Sequence, residues 1–91
     1  MLDVIKIGKQ VFVNGEQIYS IMSYKNTYHQ WFKCCKKLGY KNGTDYINCV
    51  IESEKRVIQY MDIQMAKEVV MVFRTEQSND VWKILNNMIK D

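Results

Sequence analysis

At 91 residues, 47% hydrophobic and 25% charged, the chain has the length of one thin-cored globular domain and the composition of neither a disordered segment nor a membrane protein. It has no proline, four glycines, no internal repeat and no apolar run near the length of a membrane span, and the opening MLDVIKIGKQVF lacks the apolar stretch of a signal peptide. The net charge of +3 is uneven: Lys25, Lys33, Lys36, Lys37 and Lys41 fall between Gln17 and Thr44 with no acid among them, while the remainder holds eight basic and ten acidic residues.

In chain order, VIKIGKQVFV (4–13) has two apolar runs around Gly8-Lys9 and predicts a short β-hairpin. Asn14 then reads as a helix cap, with Gln17 three places on completing a capping-box pattern. Ile18, Ile21 and Met22 form the apolar stripe of a first helix running to about Ser23. Asn26 or Thr27 caps a second helix. Its buried stripe is Tyr28, Trp31, Phe32, Cys35 and Leu38, and its other side carries His29, Gln30, Lys33, Lys36 and Lys37. Gly39 after two lysines is a C-terminal stop, followed by a turn at Asn42-Gly43.

DYINCVI (45–51) and RVIQYM (56–61), separated by the polar ESEK, predict a second hairpin. Asp62 caps a third helix with Ala66, Val69, Val70 and Phe73 inward and Lys67, Glu68 and Arg74 outward. Ser78 or Asn79 opens a fourth, where Val81, Ile84, Leu85 and Met88 share a face that Trp82 and Ile89 widen. An arc that wide exceeds what a small core covers, and a homodimer contact through this helix is one explanation. The fold class is therefore α+β: two small β-hairpins and about four helices. The roughly four residues between the first two helices, Ser23 to Asn26, match the connection of a helix-turn-helix.

Three cysteines, Cys34, Cys35 and Cys49, make an odd count with no Cys-x-x-Cys spacing. That argues against a secreted disulfide framework and for inert thiols in a reducing, cytoplasmic setting. With His29 as the one histidine, no zinc ligand set forms and no other metal or cofactor is implied. Catalysis finds no support either. There is no Gly-x-Ser-x-Gly, no phosphate-cradling glycine loop and no His-Glu-x-x-His, and the single histidine falls on the predicted outer face of its helix.

The segment DIQMAKEVVMVFRTEQS (62–78) resembles the D-x-x-MAKE-x-x-M-x-x-RTE block of the AntA/AntB phage antirepressor domain. FVNGEQIYSIM is similar to that family's opening, and Trp31, Gly39, Tyr40, Gly43, Asp45 and Tyr46 occupy the places of its middle motif. The likeness covers about residues 12 to 78 and extends to the Bro-N-type N-terminal domains of large DNA viruses, in which such a module is commonly joined to a second domain. After Thr75-Glu76 the family commonly continues with a glycine and a basic run; here the chain reads QSNDVWKILNNMIKD, so the fourth helix is not covered. The resemblance implies a phage or viral regulatory protein and leaves its target open.

Two modes of action follow. In the first the domain binds DNA through the basic second helix. Lys33, Lys36 and Lys37 track phosphates, Gln30 reaches toward a base edge, and Lys25 and Lys41 contact backbone from the flanking loops. The alternative is capture of a repressor protein with no DNA contact, using Trp82, Leu85 and Ile89 of the last helix. A plain solvated face explains the lysines, and plain core packing explains Trp82, equally simply.

Overall fold

The computed structural model describes residues 2–89, apart from the side chain of Ile89. Its elements are β1 (Val4–Ile7), β2 (Gln10–Asn14), α1 (Gly15–Met22), α2 (Tyr28–Lys36), β3 (Tyr46–Ile51), β4 (Arg56–Asp62), α3 (Ile63–Val72) and α4 (Ser78–Ile89). Both hairpins form, and they merge into a single antiparallel sheet of order β1-β2-β4-β3. The joint is short: Phe12 pairs with Asp62, Val13 with Met61 and Asn14 with Tyr60. No local pattern announces this pairing, because its partners lie about fifty residues apart.

Strand alternation splits the sheet into two apolar faces. Val13, Tyr46 and Met61 turn toward the helices and join Ile18, Met22, Trp31, Phe32, Val69, Val70, Val81 and Leu85 in the main core. Phe12, Ile58 and Tyr60 form a second cluster on the opposite face, with Ile5, Ile47, Cys49 and Ile51 packed against them. Every member of that cluster comes from a strand, so the two hairpins cover each other there.

Two strands run straight into helices through an Asx cap. Asn14 ends β2 and accepts the Gln17 amide N–H at 3.1 Å, while Asp62 ends β4 and accepts that of Gln64 at 2.8 Å. The predicted capping box is only half made. Gln17 does not reach back to Asn14, whose own N–H donates to the Asp3 carbonyl; the Gln17 side chain instead accepts from the Asp3 N–H and donates to its carboxylate. The segment before β1 has taken the partner that the motif assigns to Asn14.

Three apolar positions were misplaced by periodicity alone. Ile21 and Ile84 are exposed, and Leu38 is 48% exposed, because α2 ends at Lys36 and the chain leaves helical geometry before Leu38 can continue the stripe. The α1–α2 connection is Ser23–Thr27, with Ser23 in the left-handed conformation (φ 57, ψ 45) as the stop of α1. Among the described residues no helix is long and apolar enough to cross a membrane.

α4 docks on α3 through more than apolar contact. Lys67, read as an outer residue of α3, is half-buried. Its ammonium lies 4.7 Å from the centre of the Trp82 ring and donates to the Asn86 side-chain oxygen at 3.2 Å. A cation held over an indole and partly desolvated contributes about 1 kcal/mol.

Gly15, the first residue of α1, sits where a Cβ would meet the Gln59 carbonyl oxygen at 2.9 Å, the Tyr28 hydroxyl at 3.1 Å and Met61 Cε at 3.2 Å. Alanine is the better helix former by about 1 kcal/mol, yet overpacking against a strand's backbone costs about 1–3 kcal/mol. Gly15→Ala is therefore expected to lose stability on balance, by up to about 2 kcal/mol in urea unfolding. A stabilised variant would show that α1 does not pack on β4 as closely as described.

Candidate nucleic-acid interface

The basic helix α2 is set up by local chemistry. Thr27 caps it in extended conformation, its hydroxyl accepting the Gln30 N–H at 3.2 Å. At the other end Lys37 stays right-handed, and the N–H groups of Leu38 and Gly39 donate to Cys35 and Lys36 carbonyls at 3.0 and 3.1 Å. Gly39 takes φ +101, which a side chain would oppose.

Its inner face is aromatic. Trp31, 2% exposed, lies within 6.0 Å, ring centre to ring centre, of Tyr19, Tyr24 and Tyr28, and Phe32 meets Tyr46 edge-on at 5.2 Å. Tyr28 also donates its hydroxyl to the Gln59 side-chain oxygen at 2.7 Å, tying the start of the helix to β4. The Tyr24 hydroxyl and the Trp31 indole N–H are both enclosed without a hydrogen-bond partner. Large rings, rather than close backbone approach, hold α2 to the body of the protein.

The outer face carries the predicted nucleic-acid residues. Gln30, Lys33, Lys36 and Lys37 are all exposed on one helix, and exposed Lys25 and Lys41 stand in the loops at its two ends. Among the described residues both ion pairs belong to Arg56, which grips Glu16 and Glu54 at 2.7 Å each and engages none of these lysines. Lys36 is the least free of the lysines, its ammonium resting 5.8 Å from the centre of the Phe32 ring. The Lys41 backbone N–H donates to the Asp45 carboxylate at 2.8 Å, which fixes the loop and spends that acid on the main chain.

The residues read as a protein-binding face are not gathered into one. Leu85 is fully buried in the core, and Trp82 is half-buried beneath the Lys67 ammonium. The Ile89 side chain lies outside what is described. Ile84, expected to face inward, is an apolar side chain that α4 exposes, at 46%. Sequence reasoning also missed that Lys25 and Arg74 line one cleft; nothing in their spacing relates two positions separated by most of the chain.

No group of three His, Cys, Asp or Glu side chains able to hold a metal occurs among the described residues. Of the cysteines, Cys35 is buried and Cys34 and Cys49 are half-buried. Burial, reinforced by the neighbouring Cys34, pushes the Cys35 thiol up from 9.0 to about 12. Burial likewise raises the Tyr24 and Tyr28 hydroxyls well above the ordinary phenol value of 10.0.

The AntA/AntB antirepressor family model matches residues 13–75. No curated protein and no solved structure matches the chain.

Raised thiol and phenol values bear on the stability of the fold in alkali. A group that holds its proton more tightly when folded contributes stability below its unfolded value and loses it as pH rises toward the folded one. Stability is therefore expected to fall from about pH 9, as the unfolded chain begins to release the Cys35 proton, and more steeply past pH 10, where Tyr24 and Tyr28 add to it. Each group contributes at most about 1.4 kcal/mol per pH unit. Urea midpoints measured between pH 7 and 11 check this, with iodoacetamide labelling at pH 8 expected to modify Cys34 and Cys49 before Cys35. A flat profile together with early Cys35 labelling would mean that the aromatic seam is open to water.

Proposed function

The chain belongs to the AntA/AntB antirepressor family, and from that premise we propose that it acts as a phage or viral gene-regulation domain by laying the outer face of α2 against a nucleic-acid backbone. The reading rests on one observation. The ammonium groups of Lys33, Lys36 and Lys37 stand exposed on one helix and enter no ion pair among the described residues. Lysine is a compact point charge that suits phosphate oxygens without demanding a fixed geometry. Lys33 and Lys37 lie about 6 Å apart along the helix, and Lys25 and Lys41 extend the line at both ends.

Gln30 is the one side chain on this face suited to a base edge, where a glutamine amide pairs with adenine in the major groove. The helix has no arginine, so backbone docking dominates and base readout is a minor part of the affinity.

A second reading, capture of a repressor protein, draws on Ile84 and Val72, which are apolar and exposed on α4 and α3. It predicts weak salt dependence, since burial of apolar surface releases no counterions.

Titration of the 91-residue chain with duplex DNA at stepped salt separates the two. Docking through five lysines gives a log–log slope on the order of −4 to −5. Changing Lys33 and Lys37 to Ala is expected to reduce that slope by about 2 units and to leave the thermal midpoint nearly unchanged, because both side chains are exposed. Absent or salt-insensitive binding would sink the backbone-docking reading in favour of repressor capture.

A further inference from the structure

We propose that the cleft between the α1–α2 and α3–α4 connections holds one backbone phosphate of the nucleic acid that α2 lies against, with Lys25 and Arg74 as its cations; this rests on the nucleic-acid reading of α2. The cleft encloses about 510 Å³, and its walls include Tyr24, Lys25, Arg74, Thr75 and Glu76.

Each wall is built rather than incidental. On one side the left-handed Ser23 turns the chain out of α1, and Tyr24 then stacks on Trp31 at 5.0 Å. Tyr19 donates its hydroxyl to the Asn26 carbonyl and so pins the loop that carries Lys25. On the other side the fully buried Ser78 hydroxyl donates to the Val70 carbonyl and accepts the Thr75 N–H, at 2.7 and 2.8 Å, which holds the Arg74–Gln77 turn against the end of α3. The Thr75 hydroxyl lies 3.9 Å from the Met22 sulfur at the end of α1, so the two walls meet at the base of the cleft.

Arg74 spends one guanidinium nitrogen on the Asn79 side-chain oxygen at 3.2 Å, an orienting contact that leaves other donors of the fork free. A planar fork held in this way suits two oxygens of one phosphodiester. Lys25 belongs both to this cleft and to the acid-free segment of α2, which places the cleft at the N-terminal end of the same basic line. Glu76 is the one acid on the walls and is ion-paired with neither cation, so the cleft keeps a single net positive charge. The arrangement favours one monoanionic phosphodiester over a more highly charged group.

The test is the affinity and salt dependence of duplex binding by the full chain carrying Arg74→Ala, Lys25→Ala/Arg74→Ala, Arg74→Lys or Glu76→Gln, beside the Lys33→Ala/Lys37→Ala double variant. Loss of one phosphate contact lowers the log–log slope by about 0.9, roughly an eightfold loss of affinity near 0.1 M salt. With Lys25 still on the phosphate, Arg74→Ala is expected to bind several-fold more weakly with little change of slope, Arg74→Lys to bind nearly as the unaltered chain does, Glu76→Gln to bind several-fold tighter, and Lys25→Ala/Arg74→Ala to show the full loss of slope. Arg74 is exposed, and an unchanged melting curve for Arg74→Ala separates lost contact from lost fold. Unchanged affinity in Arg74→Ala while the lysine pair variant loses its two units of slope overturns the cleft and spares α2. Absence of duplex binding by the unaltered chain overturns both.

Discussion

The packing of Trp31 among three tyrosines is the contact on which the arrangement of the basic surface depends. α2 reaches the rest of the fold through rings, with Trp31 against Tyr19, Tyr24 and Tyr28 and Phe32 against Tyr46. Aromatic pairs contribute about 0.5–1.5 kcal/mol each beyond their buried area. Several of them around one indole hold a helix of only nine residues, which on its own is too short to persist in water. The seam fixes the rotation of α2 about its axis. Once Trp31, Phe32 and Cys35 point inward, Gln30, Lys33 and Lys37 have only solvent to face.

Charge follows the same division. Arg56 of β4 is committed to Glu16 of α1 and to Glu54, in pairs exposed enough that each adds little to stability. Among the described residues the lysines of α2 have no such partner, and mutual repulsion among them is tolerated because water screens it. Beyond the favourable place of Lys33 and Lys36 at the C-terminal end of α2, a face of this kind adds little to the fold. Its free energy appears only when another body supplies the opposite charge and releases counterions.

What could be read in advance was local. Asn14, Thr27 and Asp62 each act within three residues, Gly39 ends its helix by its own backbone, and the apolar stripe of α2 repeats at helical spacing. These features placed α1, α2 and α3, while apolar runs around Gly8-Lys9 and ESEK placed both hairpins and the Val81, Leu85, Met88 stripe placed α4. What could not be read depends on partners distant in the chain. The pairing of β2 with β4 is one case. The diversion of Gln17 to Asp3 is another, because a capping box and a tie to a preceding strand look identical in sequence. Leu38 was misread because period alone does not say where a helix stops, and Lys67 because outward position on α3 does not reveal that Trp82 waits above it. The cleft at Lys25 and Arg74 left no trace in spacing at all.

The span shared with the family ends at residue 75, yet the core does not. Val81 and Leu85 of α4 lie in the same cluster as Val69 and Val70 of α3, and Lys67 reaches across to Trp82 and Asn86. At the other end Asp3 holds both Asn14 and Gln17. A graft of residues 13–75 into another protein would thus carry a raw oily seam and a torn strand edge with it. The transplantable unit is bounded by its packing and not by its likeness, and it has to bring both flanks along.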